Sequence, residues 1–561
     1  MTGKTNSELP NSAPLTRGRV EGGKTELLAF TVVVTLGMAA RLSLLHSGIW
    51  LDEAWVANSI LAPTVRQMLY YDRWVQSSPP LFLLLDRVLV HLLGASELSL
   101  RALPWLAAAI ALALFAWTLR RIFPFTLALI GTTLLVTNYW AFKYAQQVKQ
   151  YSTDLLVACV FLCLLSRSLE SEAGAGKFLG LLATGSIGVL LSFPAVFWFP
   201  AAALVPLRDS ILALRQGGGE RRARENLAKL ILLLVLFSSS LAVTYFFFSV
   251  PNQLGSVQEY WRRADLGGGG LFAALFGGFP KNVCRMLFPQ RTWSTPISYF
   301  LGLLAGAGLV RAMVHGAKRE PQALRLLVVT LLPFLAAIAA SVAHRYPLRD
   351  YPRFILWMLP SCILLILYCL EAVWTRLAGT LRTEWFHLLD RVVAPAGCLV
   401  LLCGGLFFLI RYPGRGEDVR SAVMYLKAHA APADLVFVHG GTSEQFDLYA
   451  QLLHWSPGQQ YLGKTGWPCC PRHHLQRVSS PRAASFEEDV HSFLDGARGK
   501  RVWVIMPAAN PSEWSQGLRY QRIKLPGLLA AHACQEEEEK EFDNVALYTA
   551  RCNSARNDPG R

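Results

Sequence analysis

From residue 26 onward this sequence carries run after run of mostly apolar residues separated by short charged segments. A helix needs about 20 such residues to cross the hydrocarbon core of a bilayer. Lipid offers the backbone no hydrogen-bond partner, so a chain of this kind is confined to a bundle of helices. The runs fall at about 26–46, 102–119, 124–142, 153–169, 229–249, 297–314, 325–343, 353–370 and 392–410. A longer run, 178–207, is interrupted at Phe193-Pro194. As one span it would carry the basic loop with Arg208, Arg215, Arg221, Arg222, Arg224 and Lys229 to the outer face, against the positive-inside tendency. A pair of short spans hinged near Pro194 returns that loop to the cytoplasm and brings the expected count to about eleven.

Composition agrees with two regions in two solvents. Charged residues make up 16% of the 561 residues and mean hydropathy is +0.33, against about 25% charged in soluble chains. The last 150 or so residues have ordinary polarity. Lys4, Arg17, Arg19 and Lys24 precede the first run, and no small-residue cleavage site follows it. The expected organisation is a cytoplasmic tail over 1–25, a membrane domain over 26–410 and an extracytoplasmic soluble domain over 411–561. The net charge of +16 sits mostly between apolar runs, where it orients spans, so no nucleic-acid partner is expected.

Residues 48–101 form the first outer loop. Its stretches "VANSILAPTVRQMLYYDRW" and "LFLLLDRVLVHLLG" are amphipathic and expected to lie along the membrane surface. Just ahead of them stands the acidic pair Asp52-Glu53, and outer segments hold Arg101, Lys149, Arg345, Arg349 and Arg353. Cations near span ends snorkel to lipid headgroups; gathered at one face, they also suit an anionic ligand.

Four segments together resemble a known family: "WLDEAW" after the first span, "SSPPLFLLLDRVLVHLLG" followed by "SELSLRALPWLAA", "YAQQVKQYSTDLL", and "YPRFILWMLP" heading a late span. In order and spacing they resemble the GT-C glycosyltransferases, in the group of protein O-mannosyltransferases and the lipid A aminoarabinose transferase. The resemblance implies a polytopic α-helical membrane protein with surface helices in the first outer loop and a small C-terminal α/β domain. It also implies a polyprenyl-phosphate-linked sugar as donor and an extracytoplasmic glycan, lipid or protein as acceptor.

A lipid phosphate is already a good leaving group, so the enzyme's task is to activate the acceptor and stabilise the departing phosphate. Asp52 is the expected general base of an inverting displacement, with Glu53 in support; read in isolation, Asp52 also suits a helix cap. Asp154 in "QYSTDLL" is a second acid of interest, and it too reads as a cap. Arg101, Lys149, Arg345, Arg349 and Arg353 are the candidates for the donor phosphate. Tyr151 and Tyr346 are possible hydroxyl donors, or aromatic anchors at the bilayer boundary. Nothing beside Asp52 marks a divalent-metal site, and no cofactor is expected.

In the tail, "EDVRSAVMYLKAHA" has helical periodicity and "DLVFVHG", "KRVWVIMP" and "NVALYTARC" read as strands. Gly440-Gly441 lacks the spacing of a phosphate loop. Cys469, Cys470, Cys534 and Cys552 allow disulfides in an oxidising compartment. "CCPRHH" holds zinc-type ligands too closely spaced for a tetrahedral site. A multi-span transporter or flippase of a lipid-linked or anionic substrate is the competing reading, although no paired internal repeat is visible. The expected location is a bacterial inner membrane, with the catalytic face and soluble domain in the periplasm.

Overall fold

The computed structural model describes residues 23–43, 45, 47–70, 78–168, 175–215, 220–249, 274–289, 295–318, 320–348, 351–411, 417–455, 460–462, 483–508 and 515–553. Among them, seven helices are long and apolar enough to cross a membrane, and Phe125–Val136, Tyr151–Ser166 and Phe178–Leu191 are shorter apolar helices. Helix α1 is Lys24–Ala40; α2, Leu51–Ile60, α3, Val65–Leu69, and α4, Pro80–Leu93, make up the first loop. Helices α5, Glu97–Ile122, α6, Phe125–Val136, α7, Tyr139–Tyr144, and α8, Tyr151–Ser168, follow.

Local chemistry moves three predicted boundaries. The second span begins at Glu97 rather than 102, because Ser96 and Ser99 cap each other across the first turn. That shift places Arg101 inside a helix. The run 124–142 is not one helix: Asn138 Oδ1 accepts the N–H groups of Trp140 and Ala141, both at 3.0 Å, and starts α7 afresh. The last run begins at Thr383, nine residues before the predicted 392. The break in 178–207 falls at Pro194, where a helix ending at Leu191 gives way to a 3₁₀ turn, Phe193–Trp198, and a new helix, Phe199–Arg215.

Ion pairs collect at one end of the bundle. Glu26, at the start of α1, meets Arg120 at 3.8 Å and Arg391 at 3.1 Å. Thr126, at the start of α6, donates to Asp390. Helix ends that alternate in chain order thus share one face, as an up-and-down bundle requires. At the opposite ends of α1 and α6, the buried Arg41 donates to the carbonyls of Gly37 (2.8 Å) and Val136 (3.0 Å), a cation on two helix C-termini.

The tail folds into a five-stranded sheet of order β2-β1-β3-β5-β4. Its strands are β1, Leu435–Val438, β2, Gln460–Leu462, β3, Arg501–Pro507, β4, Cys534–Phe542, and β5, Val545–Cys552. β1 runs parallel to β2 and β3, while β5 is antiparallel to β3 and β4. Strand alternation divides the side chains between two cores. Phe437, Val502, Val504 and Tyr548 pack with the helices Ala483–Asp495 and Ser515–Ala531. Val436, Val438, Trp503 and Ile505 enter a second core that also contains Ala54, Ala57 and Ile60 of α2 and Phe82 of α4. The soluble domain and the first-loop helices therefore share one apolar core.

β4 escapes a hydropathy reading because "CQEEEEKEF" is mostly charged. It lies at the sheet edge, where exposed charges discourage pairing with other chains. Cys534 and Cys552 form a disulfide between paired positions of β4 and β5, while Cys469 and Cys470 lie outside the described residues, as does the whole "CCPRHH" segment. Replacing Cys534 and Cys552 with Ser is expected to cost the soluble domain about 3 kcal/mol, measured as a drop in its thermal midpoint equal to that caused by reducing the unaltered protein.

Candidate functional site

Two acids adjacent in sequence meet two separate environments, because neighbouring side chains on a helix diverge by about 100°. Both lie in the first turn of α2. Glu53 points inward and is fully buried against Arg101 of α5: Nε and Nη2 each donate to it at 3.0 Å, with both side chains 1% exposed. The rest of the Arg101 guanidinium donates to the carbonyls of Leu45 (3.0 Å), Ser47 (2.7 Å) and Gly48 (3.3 Å). Arg101 thus has no donor left for a phosphate. Glu53 also accepts the Val148 N–H at 2.8 Å, which ties the loop between α7 and α8 to α2.

Asp52 points the other way and stays partly accessible. Its Oδ2 accepts Arg353 Nη1 at 2.7 Å, with the side chains 20% and 16% exposed. Arg353 sits in the 3₁₀ turn Pro352–Met358, with its guanidinium over the rings of Tyr351 (5.3 Å) and Phe354 (5.1 Å). Phe354 also lies against Tyr151, at 6.1 Å between ring centroids, and Tyr151 packs on Tyr144 at 4.6 Å. This aromatic wall holds the Arg353 fork beside Asp52.

The α7–α8 loop brings more positive charge. Lys149 lies deep in the fold yet keeps some accessible surface, and burial pushes its ammonium down to about 8, opposed in part by the Asp52 charge. Lys143, at the end of α7, is lowered for the same reason. Asp52 thus pairs directly with Arg353, and its charge is felt by the Lys149 and Lys143 ammoniums. From the other side, the segment entering the soluble domain contributes Glu417. Burial raises its carboxyl to about 7, the Gln445 side chain that donates to it opposes the shift, and the Asp52 and Glu444 charges add to it.

Asp154, Arg345 and Tyr346 have other partners or surroundings. Asp154 is buried in the first turn of α8, where its carboxylate meets the Ser192 side chain. Arg345 is exposed and reaches Tyr245 Oη at 3.5 Å, while Tyr346 donates to the Phe354 carbonyl at 2.5 Å and so braces the Arg353 turn. Arg349 lies outside the described residues. Sequence reasoning missed Lys143, Tyr351, Phe354 and Glu417. The tyrosine and phenylalanine flank Arg353 in "YPRF", a signal available to a reader who looks for guanidinium–ring stacking. Among the described residues, no group of three or more His, Cys, Asp or Glu is placed to hold a metal.

Comparison with known proteins follows the same lines. Residues 77–245 match the family model described as dolichyl-phosphate-mannose-protein mannosyltransferase. Two crystal structures of ArnT from Cupriavidus metallidurans, one bound to undecaprenyl phosphate and one in the apo state, share the fold at TM-scores of 0.52 and 0.54. Each is 14% identical in sequence and covers 93% of this chain and 97% of that one. No curated protein matches the chain by sequence. Residues 77–245 thus resemble a mannosyltransferase-type segment, and the chain along most of its length, helical bundle and small C-terminal sheet domain together, shares the fold of the ArnT structures.

Proposed function

We propose that this protein transfers a sugar from a polyprenyl-phosphate donor to an extracytoplasmic acceptor in one inverting displacement. The observation that carries the reading is Asp52: a part-accessible carboxylate held by Arg353, with a charge that Lys149 and Lys143 feel, while its neighbour Glu53 is sealed away. The acceptor X–H approaches C1 of the sugar, Asp52 takes its proton, the X–C1 bond forms, and the C1–O bond breaks with its electron pair leaving on the phosphate. Lys149 and Arg353 stabilise that departing charge, with Tyr151 in the wall beside them. Arg353 also aims the Asp52 carboxylate. Glu53 and Arg101 hold α2 in place and touch neither reactant. The ArnT structure with undecaprenyl phosphate supports a donor of this lipid class.

The Cys534–Cys552 bond supports an oxidising compartment for the soluble domain, and the basic loops at the opposite end of the bundle support a cytoplasmic N-terminus. We assign the protein to a bacterial inner membrane, with Asp52 on the periplasmic side and the chain divided into a tail over 1–25, a membrane domain over 26–410 and a soluble domain over 411–561. Mass spectrometry of lipid-linked sugars and surface glycans, in cells with and without the gene, tests the activity. An accumulated donor together with a missing sugar supports transfer. A lipid-linked sugar trapped on the cytoplasmic leaflet supports the flippase instead.

Lys149 makes the donor site pH-dependent. Its ammonium is charged below about 8 and neutral above, and a bound phosphate favours the charged form, so affinity is high at pH 7 and declines as pH rises through 8. Undecaprenyl phosphate binding to the full-length protein in nanodiscs is expected to weaken about tenfold between pH 7 and pH 9. In Lys149→Met that slope disappears and binding at pH 7 falls to the weak level. A flat profile in the unaltered protein removes Lys149 from the phosphate site.

A further inference from the structure

The chain of buried polar contacts that fixes Asp52 does not stop at the membrane domain. Tyr449, in the soluble-domain helix Ser443–Leu452, is 1% exposed, and its hydroxyl sits between two groups of the membrane domain. It accepts the Ile49 N–H at 2.6 Å and donates to Glu97 Oε1 at 2.6 Å. Glu97 Oε2 in turn accepts Arg420 Nη1 at 3.0 Å, from the soluble-domain helix Val419–His429. Glu97 and Arg101 stand one turn apart on α5, so the same stretch of α5 holds the residue-45-to-53 segment from one side through Arg101 and meets Tyr449 on the other.

We infer that Tyr449 is a positioning residue for Asp52, making the soluble domain part of the frame of the reaction centre. Three observations converge on this. Ile49 lies three residues before Asp52, in the lead-in that sets where α2 begins. Farther along α2, Asn58 Nδ2 donates to the Glu444 carbonyl at 2.9 Å, so the helix is gripped by Ser443–Leu452 at both ends. Between those grips, Ala54 and Ala57 share an apolar core with Phe446 and Tyr449. Asp52 itself has a part-exposed ion pair with Arg353, which is too weak alone to hold a helix. Its place relative to the donor is therefore set by the contacts that hold its helix, the buried Glu53–Arg101 pair on one side and the Tyr449 hydroxyl on the Ile49 N–H on the other.

The inference rests on Asp52 being the general base, and its test has an arm independent of that reading. Tyr449→Phe removes one oxygen and keeps the ring in the shared core. In the full-length protein in nanodiscs, hydrogen exchange of peptides covering residues 47–56 is expected to quicken about tenfold, while β1 and β3 exchange as before. With a panel of undecaprenyl-phosphate pentoses and hexoses as donors, kcat is expected to fall about 10- to 100-fold with donor KM within about twofold, the signature of a misplaced base. Unchanged exchange at 47–56, or faster exchange with unchanged kcat, overturns the inference. Should Tyr449→Phe fail to fold, Glu97→Leu removes the acceptor of the Tyr449 hydroxyl; the same two changes are expected, and silence in both overturns the inference. Asp52→Asn run alongside separates the readings: if it retains transfer, the base assignment falls, while the exchange result still decides whether Tyr449 anchors the segment.

Discussion

Asp52→Asn is expected to slow sugar transfer by about 10²- to 10⁴-fold, the range lost when a general base is removed. The substitution keeps size and shape, and the amide oxygen still accepts from Arg353 Nη1, now 2.7 Å from Asp52 Oδ2. The Arg353 guanidinium therefore keeps its place over Tyr351 and Phe354. What disappears is the proton acceptor and one negative charge. Loss of that charge next to Lys149 and Arg353 predicts undecaprenyl phosphate binding that is equal or tighter in the variant. The diagnostic result is a large drop in kcat with no loss of donor affinity. Transfer within about tenfold of the unaltered rate removes Asp52 as the base.

Glu53→Gln should act on the fold before it acts on the chemistry. The Arg101–Glu53 pair is 1% exposed on both sides, and removing one member leaves a buried guanidinium without its counter-charge. Breaking such a pair costs about 3–5 kcal/mol. The expected result is a large fall in the thermal midpoint of the purified protein, with loss of the α7–α8 loop's anchor at Val148. Arg353→Gln is the contrast. Its pair with Asp52 is 16% and 20% exposed, so a smaller stability loss than for Glu53→Gln is expected while activity falls. Equal stability losses in the two variants would mean that burial does not separate their roles.

Much of the architecture was legible because lipid imposes a length and a polarity on every crossing segment. The apolar runs, the hinge at Pro194 and three of the five strands could all be read from pattern. Boundaries were not, since caps decide them: Ser96 and Ser99 lengthen one helix by a turn, and Asn138 ends a run whose hydropathy continues. β4 was hidden because an edge strand can be almost entirely charged.

At the site, residue types and rough positions were readable, but pairings were not. Asp52, Glu53, Arg101, Lys149 and Arg353 all stand out in the sequence as charges beside apolar runs. Nothing in their order says that Arg101 is consumed by Glu53 or that Arg353, 301 residues away, is the cation beside Asp52. Nor could Tyr449 have been singled out, as a tyrosine in an amphipathic helix of a soluble domain resembles any core residue. Sequence by itself determined the solvent of each segment, the helical bundle and the acidic pair after the first span, because those follow from the cost of burying polar groups in lipid. Only tertiary structure decided which acid is sealed and which is open, because that depends on the direction in which the first turn of α2 presents each side chain, and on Arg101, Val148, Ile49 and Tyr449 holding that turn in place.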